Sequence, residues 1–446
     1  RKKAPMLKSK LSTIIALISL TLIVLFGYVF LKDLQGPSIS FSVDNKELGQ
    51  KIGPRKEIKV IAADTSGIRK IKVSVRRGGK TLELYEKAYA DSPKSTEYAF
   101  TLEDAKLPEG AFTLIVTTHD ASFAGFNKGN STTRELPLVM DNKHPRIAVE
   151  TTPPTIHRGG TALIVYTASE ELTKTGIFVN DIFFPAFKQK ENTYACLFAF
   201  PEFLSSSEYF PQIIAEDTAG NITESRLIVN AVNRNYPTDK VKITETFLTL
   251  KEEELKKIAP GKETTLERYI EANGNIRKQN DQLISDVCTK NTSPKPKWEN
   301  DFKILPRSAV KAQFGDRRTY YLGEKEIDKQ VHLGYDFASV AKDNVPAGNH
   351  GTVVFAGYNG IYGNLVILEH GMGLNSIYSH LTELFVTVGD TVEKGQIIGT
   401  TGTTGLAVGD HVHFGIYLGG IAVQPKEWID PKWVRSNIST RLSKAR

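Results

Sequence analysis

The sequence predicts a mainly β protein with an N-terminal transmembrane helix, two β-sandwich units, a short helical segment and a C-terminal antiparallel β domain. Three observations predict it. Short runs of alternating apolar and polar residues recur from about Ser38 to Val232, separated by Gly/Asn turns. One long uncharged apolar stretch, Leu11–Leu31, precedes them. Helix-start signals cluster between Thr249 and Val287, and strand-like runs punctuated by glycine resume after Phe302. At 446 residues the chain has room for about three domains of roughly 100–200 residues each.

Residues 1–10, RKKAPMLKSK, hold five Lys/Arg and no acid, which marks a cytoplasmic basic tail under the positive-inside rule. Those five account for most of the formal net charge of +7, leaving +2 for the rest. No basic groove is implied, so nucleic acid is not an expected partner. Residues 11–31 are long enough to span about 30 Å at 1.5 Å per residue, the thickness of a membrane's hydrocarbon core. The following FGYVFLKDLQGPS offers no small-residue cleavage site, so a retained single-pass anchor is expected rather than a cleaved signal peptide. The expected location is the cytoplasmic membrane, with everything after Lys32 extracytoplasmic, or periplasmic in a Gram-negative cell.

Residues 38–145 read as the first β-sandwich, with a hairpin turn at Gly78–Gly79. Residues 146–233 read as the second, through TALIVYTASEE, TGIFVNDIFFPAF and PQIIAEDTAGNITESRLIVNAV. The units share a crude repeat, an apolar strand running into Asp120 or Asp217 and then a turn at Asn130 or Gly220–Asn221. The AEDTAGN run also resembles the final-strand corner of bacterial immunoglobulin-like modules, which implies spacers or recognition arms. His119, His144 and His157 are scattered and read as ordinary surface or turn residues. Cys196 and Cys288 match no CxxC spacing and read as buried or incidental thiols.

Residues 241–300 form the helical segment and linker. Thr249 with Glu252 and Thr264 with Glu267 are capping-box pairs, separated by Pro260–Gly261. A loose heptad (Leu266, Tyr269, Asn273, Ile276, Asn280, Leu283, Val287) contains Gly274 and two seam asparagines. A helical hairpin on a neighbouring domain, or a lid, suits it better than a coiled coil. A fragment starting near Trp298 is expected to hold the chemistry alone.

That chemistry is written in residues 302–436, the last domain. Six of the nine histidines lie from His332 onward. His411 and His413 flank Val412 in the strand-like HVHFGIYL, so alternation puts both on one face. Two imidazoles on one face of a core-lining strand are costly unless something organises them, and a metal ligand beside a catalytic imidazole does so. His332 and Asp336 lie four apart across Gly334, where the backbone can bend to bring both to one ion. A His₂Asp set leaves Zn²⁺ a fourth position for water. His350 and His370 match no site role and read as surface residues; Asn364 reads as a turn residue near the site.

Taken together, VHLGYDFAS, YGNLVILEHG, YSHL and GDHVHFG resemble the lysostaphin-type (LytM-like) zinc endopeptidases, which cut peptide bonds in bacterial peptidoglycan. The flanking GTVVFAGYNGIYGNLVILEHG and VGDTVEKGQIIGTTGTTG agree, and the likeness covers about Tyr320 to Pro431. It implies a duplicated hybrid (barrel-sandwich) fold and a bound Zn²⁺ held by His332 and Asp336 of H-x-G-x-D and by His413 of H-x-H. It also implies catalytic roles for His411 and His380. Asp410 stands where the family commonly has proline, and a carboxylate there could orient His411 or a ligand. The expected function is a membrane-anchored zinc endopeptidase hydrolysing peptidoglycan cross-links or cross-bridges. The expected partners are peptidoglycan peptide stems, the inner membrane through the anchor, and cell-wall or division proteins on the sandwich units. The alternative is a non-catalytic LytM-type activator of a cell-wall amidase, against which stands the retention of all five site residues. The VGDTVEKGQIIG hairpin also resembles biotinyl and lipoyl carrier domains, but Lys394 lacks a carrier lysine's neighbours.

Overall fold

The computed structural model describes residues 6–31, 35–44, 48–124 and 128–445. The chain is mainly β, at 44% strand and 19% helix. It divides into two compact units, Arg1–His144 with Asp217–Asn221, and Pro145–Glu216 with Ile222–Arg446.

The first helix spans Met6–Leu31. Its side chains from residue 12 to residue 25 are exposed, Ile14, Leu17 and Ile23 among them. Residues 1–5 of the expected basic tail, the side chains of its residues 6–10, and the side chains at positions 11, 26 and 29–31 of the expected span lie outside the described residues. Among the described residues, no helix is long and apolar enough to cross a membrane.

In the first unit a three-stranded and a five-stranded sheet enclose one core that includes Ile58, Val60, Val73, Leu114 and Val116. Gly78 and Gly79 have φ of +53° and +77° and close the hairpin between Arg77 and its partner Lys80, a turn that two positive φ values make glycine's place. The second unit opens with two four-stranded sheets, around strands Thr161–Ala168 and Thr193–Ala199 in one and Leu172–Val179 and Pro211–Asp217 in the other. Cys196 and Cys288 are both buried and free.

The helical segment begins earlier than its sequence suggests. Thr244, in extended geometry, accepts from Phe247 N at 3.1 Å and caps the helix Glu245–Leu250, so Thr249 falls inside that helix and caps nothing. Thr264 and Glu267 do form a capping box. The Asn273–Gly274 region becomes a π-turn, Ala272–Ile276, between helices Thr265–Glu271 and Arg277–Lys290. Leu255, Tyr269, Ile284 and Cys288 are buried in the same core as the C-terminal sheet. Upstream of the helices, Thr238–Ile243 pairs parallel with Arg317–Leu322. The segment therefore shares one continuous core with the C-terminal sheet and with the strands from Ile156 onward, and a fragment starting near Trp298 would cut through that core.

That domain is built on an eight-stranded sheet. Its path runs Ala309–Ala312, Tyr335–Ala338, Val412–Leu418, Leu374–Leu381, Asn364–Glu369, Gly351–Tyr358 and Thr391–Val392, with Ile421–Val423 added to Val412–Leu418. Val412–Leu418 is buried along its whole length. His370, expected at the surface, is instead completely buried: its Nδ1 donates to His350 O at 2.6 Å and its Nε2 meets Ser376 Oγ at 2.7 Å. The Glu369–His370 strand end turns inward, where two partners satisfy the ring.

Candidate metal centre

Asp336 and His413 face each other directly across the antiparallel pair Tyr335–Ala338 and Val412–Leu418. Facing residues have Cβ atoms about 4.5–5.5 Å apart, so side chains on the same face of such a pair must meet. His332 arrives from the end of the preceding strand, pinned by its N–H to Asp316 O at 3.0 Å and by Gly315 N to its carbonyl at 2.7 Å. Three atoms converge as a result. His332 Nε2 lies 3.0 Å from Asp336 Oδ1, His413 Nδ1 lies 3.0 Å from the same oxygen, and the two nitrogens are 2.9 Å apart.

The surroundings decide what these atoms carry. His332 Nδ1 is 2.9 Å from Gln313 O, so it holds the proton and Nε2 presents a lone pair. His413 Nε2 is buried without a hydrogen-bond partner among the described residues. Burial pushes His413 down to about 4, against the pull of Asp336, so its ring is neutral. Burial alone would raise Asp336, but His332 and His413 outweigh it and hold the carboxyl well below the usual carboxylate range. Two ring nitrogens and a carboxylate oxygen thus meet in three contacts at hydrogen-bond distance, and two neutral rings leave at most one proton to link them once His332 Nδ1 holds its own. A cation resolves this, and two nitrogens plus a carboxylate oxygen are a donor set zinc accepts. The residues fit the metal.

Two further imidazoles flank the triangle. His411 Nδ1 is 2.7 Å from Gly409 O, and His380 Nδ1 is 2.9 Å from Thr404 O. Each Nε2 is left as the reactive atom, and the His411 Nε2 stands 3.6 Å from Asp336 Oδ1. The two rings lie 4.8 Å apart, centroid to centroid. His380 needs a special backbone to be there. Its neighbour Ser379 opposes His413 in the ladder, so strict alternation would turn His380 to the other face. A φ of +66°, uncommon for a residue with a Cβ, breaks the alternation. Burial, with His411 and His413 nearby, holds His380 well below the ordinary histidine range. Asp410 does not touch His411 as expected; its carboxylate takes Thr401 Oγ1 at 2.5 Å and Lys342 N at 3.2 Å, tying down the loop before the strand.

All five residues singled out in the sequence border one cleft of about 790 Å³. Its opposite wall is the helical segment and the Thr238–Ile243 strand, including Tyr269 and Arg277. Sequence reasoning missed Arg318, whose Nη2 lies 3.8 Å from Asp336 Oδ2, and Thr404; neither has a pattern that separates it from other surface arginines or threonines. Asn364 begins its strand and donates Nδ2 to Leu381 O at 2.9 Å and Thr382 O at 3.2 Å, steadying the chain just after His380.

Residues 330–425, the stretch that carries this arrangement from His332 through His413, match the family described as Peptidase family M23. The C-terminal part of this chain is a peptidase M23 domain. Over 96 residues the chain is 34% identical to the DD-carboxypeptidase/endopeptidase Mpg of Neisseria meningitidis, covering 22% of this chain and 22% of that relative. Over 97 residues it is 33% identical to the peptidoglycan DD-endopeptidase ShyC of Vibrio cholerae, again 22% of each. The solved catalytic domain of the antimicrobial peptidase lysostaphin from Staphylococcus simulans is 30% identical, with 29% of this chain and 98% of that one covered at a TM-score of 0.25. The M23 match begins after Arg318 and after the whole helical wall of the cleft, so those parts of the site belong to this chain's own upstream sequence.

Proposed function

We propose that the protein is a zinc endopeptidase that hydrolyses peptide bonds in peptidoglycan cross-links or cross-bridges. The observation that carries the reading is the convergence of His332 Nε2, Asp336 Oδ1 and His413 Nδ1 within 3.0 Å, beside two imidazoles tethered through Nδ1. His332, Asp336 and His413 would hold the metal, which when bound supplies a Lewis acid that polarises a peptide carbonyl and acidifies water.

The chain's own groups do the rest. With the Nδ1 proton of each ring held by a backbone carbonyl, His411 and His380 offer Nε2 to the cleft as proton acceptors. One takes a proton from the water as its oxygen bonds the scissile carbonyl carbon. A protonated imidazole then gives a proton to the departing amine as the C–N bond breaks. The low proton affinity of His380 keeps it unprotonated and ready at neutral pH. The likeness to the peptidoglycan DD-endopeptidase ShyC supports a peptidoglycan peptide as substrate, and that to the DD-carboxypeptidase/endopeptidase Mpg supports peptide-bond hydrolysis.

Digestion of purified sacculi by the zinc-loaded protein tests this: cross-linked muropeptides should disappear in favour of uncross-linked ones, each cut adding one water to the mass. Unchanged muropeptides would leave the amidase-activator reading instead. The uncharged run Leu11–Leu31 supports a membrane anchor with the catalytic domain extracytoplasmic. Protease added to spheroplasts should then digest the C-terminal domain, and full protection would refute that placement.

A further inference from the structure

We propose that Lys251 and Glu254, which lie outside the M23 match, are positioning residues that hold the Thr403–Gly405 tripeptide in register so that its central carbonyl aims His380. The inference rests on the hydrolytic reading of the site given above.

Lys251 sits at the junction of the helices Glu245–Leu250 and Glu252–Ile258, ending the first and starting the second. Its Nζ donates to Thr403 O at 2.7 Å and to Gly405 O at 3.1 Å. One turn later Glu254 Oε1 accepts from Gly405 N at 2.7 Å. Tyr358 OH donates to the same oxygen at 2.8 Å, and Lys257 Nζ lies 3.5 Å from the centre of the Tyr358 ring. The residue between these three bonds is Thr404, and its carbonyl is the acceptor for His380 Nδ1.

The tripeptide is therefore gripped on both sides. On the M23 side, Thr404 Oγ1 donates to Leu381 O at 3.0 Å and accepts from Asn364 N at 3.0 Å, while Leu406 N donates to Ile361 O at 2.9 Å. Gly405 adopts φ +68°, and a Cβ there would come within 2.3 Å of Ile361 O, so no bulkier residue could let the chain pass so close. On the helical side the grip is a lysine ammonium and a carboxylate. Burial lowers the lysine's proton affinity against the opposing charge of Glu254, so its placement is costly, and its two bonds to loop carbonyls help to offset that cost. Anchoring the helices alone would not require this, because Leu255 and Ile258 already bury them in the core. What the lysine and the carboxylate add is a fixed orientation for three consecutive peptide planes.

The consequence falls on His380. Its positive φ is not a conformation the residue prefers, so the ring depends on outside partners to stay in place. A misplacement of about 1 Å in a catalytic group can cost about 10²-fold in rate. Without Lys251 the planes on either side of the Thr404 carbonyl lose their helical anchor, and without Glu254 the carbonyl's own plane does, so the imidazole's Nδ1 partner and the aim of Nε2 are held less firmly.

The test compares Lys251→Met, Lys251→Arg and Glu254→Leu in the full chain. With a soluble cross-linked muropeptide, Lys251→Met should lower kcat by about 10–100-fold, with KM and zinc content within about twofold of wild type. Arginine, which can also donate to two carbonyls, should restore most of the rate. Independently of activity, the His380 Nδ1–H signal of histidine-labelled zinc-free protein should exchange with water faster in Lys251→Met and Glu254→Leu. Unchanged kcat and an unchanged signal would overturn the inference, as would a loss of rate that tracks a loss of zinc or of melting temperature. If zinc-loaded wild type cuts nothing, the functional reading fails instead, and the His380 signal alone decides whether the grip positions the ring.

Discussion

Gly334 offers a clean way to move one proposed ligand without deleting it. A Cβ at this position would lie 2.5 Å from His413 Nε2, 2.6 Å from His413 Cε1 and 2.6 Å from Phe414 O. Ordinary contacts begin at about 3.5 Å, so in Gly334→Ala the imidazole must withdraw by roughly 1 Å. The strand cannot absorb this cheaply, because Tyr335 and Asp336 are held in the ladder opposite Phe414 and His413. Metal–ligand distances tolerate about 0.2 Å, so a shift of that size detaches His413 Nδ1 from the triangle. Even disturbing a ligand's outer partners costs about 10–100-fold in metal affinity, and losing a ligand should cost at least that. The assay is competition for zinc against a chromophoric chelator, with Gly409→Ala as control because its Cβ would meet nothing within 4 Å. Gly334→Ala should bind zinc at least 10-fold more weakly while the control stays at wild-type affinity. A Gly334→Ala protein that is folded and binds zinc as tightly as wild type would refute the assignment of His413 as a ligand.

His413→Ala should lose zinc and activity together, whereas His411→Ala and His380→Ala should keep about one zinc per chain while turnover falls by about 10²–10⁴; equal zinc loss from His411→Ala and His413→Ala would mean that both ligate. A fragment starting at Trp298 should melt well below the full chain or aggregate, since it strips Leu255, Tyr269 and Ile284 from a shared core, each worth roughly 1.5–3 kcal/mol when fully buried. An unchanged melting temperature would show that the helices are dispensable. Burial holds His370 down at about 4 against an ordinary 6.5, so as pH falls below about 6.5 the unfolded chain takes up a proton that the folded one refuses. This group should therefore remove about 3 kcal/mol of stability between pH 6.5 and 4, and stability should regain that amount as pH rises. Burial pushes Glu427 the opposite way, up to about 7, so the measurement is the difference in urea-unfolding pH profiles between wild type and His370→Gln. Parallel profiles would contradict the buried neutral ring.

Much of the site could be read in the sequence because its spacing reflects local geometry. Alternation alone put His411 and His413 on one face, and the short H-x-G-x-D span leaves little freedom for where Asp336 can point. The Gly78–Gly79 hairpin and the Thr264–Glu267 cap are likewise local rules acting alone. What could not be read depends on contacts between residues far apart. His380 reaches the site through a left-handed backbone that no pattern in YSHL announces. Lys251 and Glu254 meet the Thr403–Gly405 loop about 150 residues away, and one lysine among many carries no signal of that encounter. His370 read as a surface residue because no motif claims it, yet the strand end folds inward onto Ser376. Thr249 lost its cap to Thr244, which takes the extended geometry five residues earlier. In the same way, the loose heptad with its two asparagines gave no sign of Leu255, Ile284 and Cys288, which lie off it and sink the segment into the core.

His332, Asp336 and His413 are proposed to hold zinc at the floor of a hydrolytic cleft. Anomalous diffraction at the zinc edge from crystals of the zinc-loaded protein tests it most directly. One strong peak is expected within about 2.0–2.2 Å of His332 Nε2, Asp336 Oδ1 and His413 Nδ1, with His380 and His411 outside bonding distance. No peak in the triangle, or a peak ligated by His380 or His411 in place of one of the three, would contradict it.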